Sequence, residues 1–345
     1  MSVKVYKAVS TTTLNELYPS QSFHRDETFQ VGKIISSSLI SGKYLKRGLL
    51  KFPNNIATQY SNYPFAWLKV FTAHAESLAV TTTLQVGLNS SSADTYVIGR
   101  GRRDSNPPVQ EGSTWGHQNQ STLQTWTNMT SSNTASLTFE YGRSSDVDID
   151  VSTLWSASAG HTGQLKFVNV NLSSSVEADA TRQGIIEYYG AGTHTIYQPA
   201  LFLFTSSVSY TTSSAGTLLD VTNDYVVYHK NLQTAYQSGS SPVFSFGARE
   251  LYPAATYATT SIADTVNYLP SSSYYNFKDV GSGELLLPWQ MKEYLRLSAN
   301  ASGHYIDALD TDLFYPYRKY QVVIQVVSGS QTDIIELPET FEIEE

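Results

Sequence analysis

From about residue 23 onward, apolar and polar residues alternate in short runs that Ser, Gly, Asn and Pro separate. Period two over runs of this length predicts half-buried strands. Phe29, Val31 and Ile34-Ile35 predict a first strand, and Leu49, Leu50 and Phe52 a second, stopped by Pro53-Asn54-Asn55. Phe65, Trp67, Lys69 and Phe71 alternate with Ala66, Leu68 and Val70, so both faces carry apolar bulk and the strand is expected inside a sheet. Further runs fall at 82–88, 137–141, 147–151, 165–170, 185–189 and 201–204. Strands at this density predict a sandwich or barrel.

Outside these runs the pattern changes twice. Residues 1–22 are polar with only a short apolar alternation at Val3 and Val5, and read as an N-terminal arm. Residues 207–217 are nearly all Ser, Thr, Ala and Gly and read as a linker. A first β-sandwich is therefore expected over 23–206 and a smaller C-terminal β-domain over 218–345. In the latter, Tyr320, Val322, Ile324 and Val326 point one way and Gln321, Val323, Gln325 and Val327 the other, which makes this its main strand. The turn residues Gly281-Ser282-Gly283, Ser302-Gly303 and Ser328-Gly329 predict hairpins. The tail from Glu336 to Glu345 alternates Phe341 and Ile343 with acidic residues, and reads as an edge strand blunted by charge.

Length and composition agree with two β-domains. A chain of 345 residues exceeds the usual single-domain size, and charged residues make up 15% of it against about 25% in an average globular protein. The net charge of -8 argues against a nucleic-acid partner, and Arg100-Gly101-Arg102-Arg103 is a local group in an acidic chain. With no cysteine there is no disulfide framework, thiolate metal site or cysteine nucleophile. The first residues lack the apolar core of a signal peptide, and no stretch approaches the roughly 18 apolar residues of a membrane span. The expectation is a chain made in a cytosol without a membrane partner.

Motifs for catalysis are missing. There is no Gly-x-Ser-x-Gly elbow, no Gly-Lys-Ser/Thr phosphate loop, and no histidine pair at the spacing of a helical zinc motif. No cofactor is expected, with calcium the one ion worth weighing. Asp146, Asp148 and Asp150 would project from one face of a strand while Val147, Ile149 and Val151 face inward. An EF-hand is excluded because Ala157 stands where a bidentate glutamate is needed. The bland reading of the three carboxylates is the solvated face of an amphipathic strand. Trp115 and Trp126 sit in polar segments where an exposed ring could stack on a sugar; the bland alternative is that they plug the end of the sandwich.

Two resemblances go beyond these patterns. Asp26-Glu27-Thr28, Arg47-Gly48-Leu49-Leu50-Lys51-Phe52 and Ala66-Trp67-Leu68 resemble the DNRLRE-type module, in order and spacing. Ser113-Thr114-Trp115, Asp150-Val151-Ser152-Thr153 with Trp155, and Gln198-Pro199-Ala200-Leu201 continue that match. It implies a jelly-roll-like β-sandwich of carbohydrate-binding-module type.

The second set is Thr193-His194-Thr195-Ile196-Tyr197-Gln198-Pro199, Ala248 to Pro253, Leu269 to Asp279, Ser298 to Tyr305 and Tyr315 to Tyr320. It resembles a virion structural protein of contractile-tailed, marine-type bacteriophages. That resemblance implies a non-catalytic particle component at the tail, baseplate, neck or collar, or fibre attachment, assembled in the host cytoplasm. Its expected partners are other phage structural proteins and further copies of itself. The alternative is an adhesion module in which Trp115 or Trp126 contacts host glycan.

Overall fold

The computed structural model describes residues 3–24, 26–36, 43–53, 56, 59, 61–76, 81–88, 112–119, 123–126, 134–140, 146–158, 167–193, 196–205, 209–214, 216–253, 266–307 and 310–345. The fold is all-β, with antiparallel sheets in a sandwich-type arrangement. Two compact units divide it: Tyr6–Phe202, and Met1–Val5 together with Leu203–Glu345.

The first unit carries β1 (Val3–Lys7), which begins before it, β2 (Ser10–Asn15), β3 (Thr28–Ile35), β4 (Lys43–Lys51), β5 (Phe65–Val70), β6 (Thr72–Ala75) and β7 (Thr81–Leu88). Next come β8 (His117–Asn119), β9 (Gln124–Thr125), β10 (Thr134–Glu140), β11 (Val147–Asp150) and helix α1 (Ser152–Ser158). Then follow β12 (Phe167–Leu172), helix α2 (Ser174–Ala178), β13 (Gly184–Tyr189) and β14 (Ala200–Phe204), whose last residues belong to the second unit.

A four-stranded sheet has the order β1-β14-β5-β11, and a larger one the order β10-β7-β12-β4-β3-β13-β6 with β2 also on β4. The strand β4 is the hub. Lys43–Lys46 pair with β3, and residues further along pair with β2 and β12. Helix α1 rests on β5 of one sheet and on β7 and β10 of the other, with Trp155 fully buried and its indole N–H donated to the Tyr63 carbonyl at 2.6 Å.

Residues expected as an N-terminal arm are strands. Thr11, Thr12 and Thr13 are buried on β2, which pairs with β4 along its whole length. After β1, Ala8 donates its N–H to the Pro199 carbonyl at 2.8 Å and receives the Gln198 side chain on its own carbonyl at 3.0 Å. Threonine hydroxyls explain why so polar a segment can be buried. Those of Thr12 and Thr13 accept the backbone N–H groups of Phe23 and Gln30, so each buried polar atom is satisfied.

The second unit contains β15 (Thr217–Leu218), β16 (Tyr225–His229), β17 (Ala235–Gln237), β18 (Phe244–Glu250), β19 (Asn267–Tyr268) and β20 (Ser273–Asp279). It continues with β21 (Ser298–Asn300), β22 (Gly303–Ile306), β23 (Lys319–Ser328) and β24 (Gln331–Glu344). One sheet runs β15-β19-β18-β22-β21 with β16 on β18, the other β17-β24-β23-β20. Rings from both meet in its core: Phe244 of β18 lies 5.9 Å from Phe277 of β20 and 5.1 Å from Phe341 of β24. Gly303 and Gly329 hold the two hairpin turns at φ of 120° and 59°, a region that suits glycine.

Two boundaries differ from expectation. The units part at Val5/Tyr6 and Phe202/Leu203, and the Ser/Thr-rich stretch lies within the second unit, where Tyr210 donates its hydroxyl to the Leu269 carbonyl. The acidic tail is not an edge strand. It forms β24, flanked by β23 on one side and by β17 in parallel at Glu342–Glu344.

Candidate functional site

The three candidate carboxylates each serve a local role. Val147 and Ile149 are buried on β11 and Asp148 and Asp150 point outward, as the alternation requires. Asp146 accepts the Thr72 N–H at 2.8 Å, Asp148 accepts the indole N–H of Trp67, and Asp150 accepts the Ser152 N–H at 2.8 Å. The last bond caps the start of α1, a common task for an aspartate just ahead of a helix. Among the described residues no three His, Cys, Asp or Glu side chains come together as a metal site. His161 and His194 lie outside the described residues.

The tryptophans are brought together. Trp115 and Trp126 are half-buried and pack on Leu14 of β2 and Leu49 of β4. The segment that carries Trp115 is fastened at several points. Thr114 N–H reaches the His117 carbonyl at 2.8 Å, Gly116 N–H the Pro19 carbonyl at 2.8 Å, and the Trp126 indole N–H the Thr114 carbonyl at 2.8 Å. Ser113 and Thr114 are fully buried.

Over the Trp115 ring lies the Arg47 guanidinium, 5.0 Å from the ring centroid. Arg47 and Leu49 alternate onto one face of β4, so the indole covers both. Both ends of the guanidinium fork bind Glu177 of α2, at 2.8 Å and 2.6 Å. Helix α2 is itself held by charge. The buried Lys33 ammonium donates to the Val176 carbonyl at 2.7 Å and to that of Asp179, and Lys43 donates to the Glu177 carbonyl at 3.0 Å. Cations at the carbonyl end of a helix complement its dipole, and burial pulls the Lys33 ammonium below its usual lysine range.

A second aromatic group escaped the sequence reading. Tyr197 stacks on Tyr189 at 5.1 Å and meets Phe71 edge-on at 5.2 Å, while the Lys69 ammonium lies 4.6 Å from the Phe71 ring centre. The alternation predicts both Phe71 and Tyr189 as strand residues; Tyr189 ends β13 whereas Phe71 falls between β5 and β6, and nothing in their spacing brings them to Tyr197.

No protein-family profile matches the sequence, and no curated protein matches it either. Among solved structures, a DUF4785 family protein from Legionella pneumophila is similar over 99% of this chain and 65% of its own, at 9% identity and a TM-score of 0.20. A β-D-glucuronidase from Dictyoglomus thermophilum is similar over 99% of this chain and 44% of its own, at 8% identity and a TM-score of 0.20. The chain thus spans less than two thirds of either protein, and likenesses this faint assign it no activity.

Proposed function

We propose that the protein is a non-enzymatic structural subunit of a tailed-bacteriophage particle and works through protein–protein contacts at the tail, baseplate, neck or fibre attachment. The observation that carries the non-enzymatic part is that the three candidate carboxylates, like Glu177 and Asp279, serve the fold itself. Asp146, Asp148 and Asp150 bind backbone or indole N–H groups, Glu177 binds Arg47, and Asp279 binds Arg318. A catalytic carboxylate needs an open position beside a substrate, and these have protein donors there instead.

The particle assignment rests on the resemblance carried by the segments around 193–199, 248–253, 269–279, 298–305 and 315–320. Its support is that four of the five fall in one unit and that three of those four meet there. Asp279 of β20 pairs with Tyr320 of β23, and Leu269 N–H donates to His304 Nε2 at 2.8 Å. Subunits of this kind need complementary surface of about 1,000 Å² or more per contact, and no active site.

Mass spectrometry of gradient-purified particles from a lysate tests the reading. The chain is expected in the particle fraction at a fixed ratio to the other structural proteins. Its confinement to the soluble fraction overturns the assignment. The glycan reading is favoured by one observation, the half-exposed Trp115 ring beside Trp126, and a glycan array with the wild-type chain and Trp115→Ala separates it from the first.

A further inference from the structure

We infer that the end of the second unit around Tyr317 is a docking surface for a basic protein segment, one that places an arginine or lysine on the Tyr317 ring. The inference deepens the structural reading by naming a contact surface, and it holds for the isolated chain whether or not that chain belongs to a particle.

Tyr317 combines two features that rarely occur together. Its φ is 61°, in the left-handed region that a bulky side chain avoids, and 70% of the residue is exposed. A large ring gains nothing from burial at such exposure, while the backbone there favours glycine. The surroundings fix this conformation. Tyr317 N–H donates to the Ile343 carbonyl at 2.9 Å, Tyr315 N–H donates to the Tyr320 hydroxyl at 2.7 Å, and Arg318 binds Asp279 through two nitrogens. Beneath it, Phe314, Tyr320 and Phe341 are buried and in mutual contact, at centroid distances of 4.8 Å to 6.0 Å. The backbone that carries the ring is thus fixed, so contact through this aromatic anchor costs little backbone ordering entropy.

Charge selects the partner. The hydrogen bond to Ile343 sets Tyr317 against the stretch of β24 that carries Glu342 and Glu344, with Glu345 next. Of the cations nearby, Arg318 is held by Asp279 and Lys319 stands opposite Glu342 in the strand register. Glu344, whose carboxylate accepts the Gln237 side-chain amide at 3.4 Å, and Glu345 are exposed at the end of β24 to which Tyr317 is hydrogen-bonded. A guanidinium or ammonium satisfies both features, stacking on the ring while it meets the carboxylates. Exposed Val280, whose N–H is tied to the Lys319 carbonyl, adds apolar surface near the same strand end.

Fluorescence polarisation with the purified full chain tests this, using a fluorescein-labelled oligoarginine peptide and an oligoglutamate control at low ionic strength. Oligoarginine is expected to bind and oligoglutamate not. Tyr317→Gly should weaken binding about threefold to tenfold, as for a lost cation–π contact, Glu344→Gln should weaken it too, and Tyr317→Phe should stay within about twofold. Since glycine relieves the strained backbone, Tyr317→Gly should melt no lower than wild type. Equal peptide affinity of wild type and Tyr317→Gly, or no binding at all, overturns the inference. A Tyr317→Gly variant that melts clearly lower overturns it as well, because the ring would then be held for packing. None of these outcomes bears on whether the chain is found in particles.

Discussion

The Arg47 guanidinium stands 5.0 Å from the centre of the Trp115 ring. Glu177 holds it there, with side chains of the pair only 14% exposed, so the arginine is shared between an ion pair and an aromatic face. This contact joins three regions far apart in the chain: strand β4, the segment leading into β8, and helix α2.

Replacing Arg47 with Lys keeps the charge and loses the planar fork. We expect a loss of about 1–2 kcal/mol, since two charge-assisted hydrogen bonds become at most one. Arg47→Ala should cost more, because Glu177 is then left half-buried without its partner. Urea unfolding of the three proteins measures both. An Arg47→Lys midpoint equal to wild type would show that the bidentate fork contributes nothing beyond the charge, and an Arg47→Ala midpoint equal to wild type that the pair contributes nothing.

Gly48, the next residue, is fixed by its neighbour rather than by its backbone. A Cβ there would lie 2.5 Å from Phe29 Cε2, and Phe29 is fully buried and stacked on Tyr188 at 5.4 Å. Gly48→Ala should therefore destabilise by about 1–3 kcal/mol through overpacking. Adding Phe29→Leu should recover part of the loss, and a double-mutant cycle reads that coupling. Strictly additive losses would place the strain elsewhere.

Much of the fold was legible and most of the site was not, for one physical reason. Strand alternation is local, so β5 and β11 could be read from their own residues, and β5 lies inside its sheet between β14 and β11. Partner choice is not local. Nothing in Arg47-Gly48-Leu49 announces Trp115 or Glu177, and the polar β2 was read as an arm because its threonines are satisfied only by residues elsewhere in the chain. Asp150 shows the opposite case. Its spacing suggested a metal ligand, and the nearer use of the same carboxylate is to cap α1. The short helix α2 gave no periodic signal, and its cap Ser173 is one serine among many.

Burial holds the His304 imidazole down to about 4, with Lys230 pushing the same way. The geometry agrees, because Nε2 accepts the Leu269 N–H and must stay unprotonated to do so. The pKa is depressed in the folded state, so the stabilisation is complete above the unfolded value of 6.5 and is lost as pH falls toward 4. The loss is on the order of 3 kcal/mol. Calorimetry at pH 7 and pH 4.5 on wild type and His304→Gln isolates it, since other titrations cancel in the comparison. An identical pH dependence in both proteins would refute it.

Asp279 titrates in a lower window. Arg318 is the main cause that brings its carboxyl down to about 2, helped by the Ser282 N–H and hydroxyl. Its side chain is 1% exposed, whereas that of Arg318 is 39% exposed, so water supports the arginine but not the aspartate. Because the folded pKa is depressed, the contribution is present above about 4 and disappears as pH falls through 2. Asp279→Asn should cost about 2 kcal/mol at neutral pH, less than a fully buried pair because Arg318 can rehydrate. The gap between wild type and variant should narrow below pH 4 and close near pH 2, a test that melting curves across that range decide. A gap that stays constant with pH would mean that the asparagine is destabilising through its shape or its hydrogen bonds to Ser282, and that the charge of Asp279 contributes nothing to holding the turn that precedes Glu284.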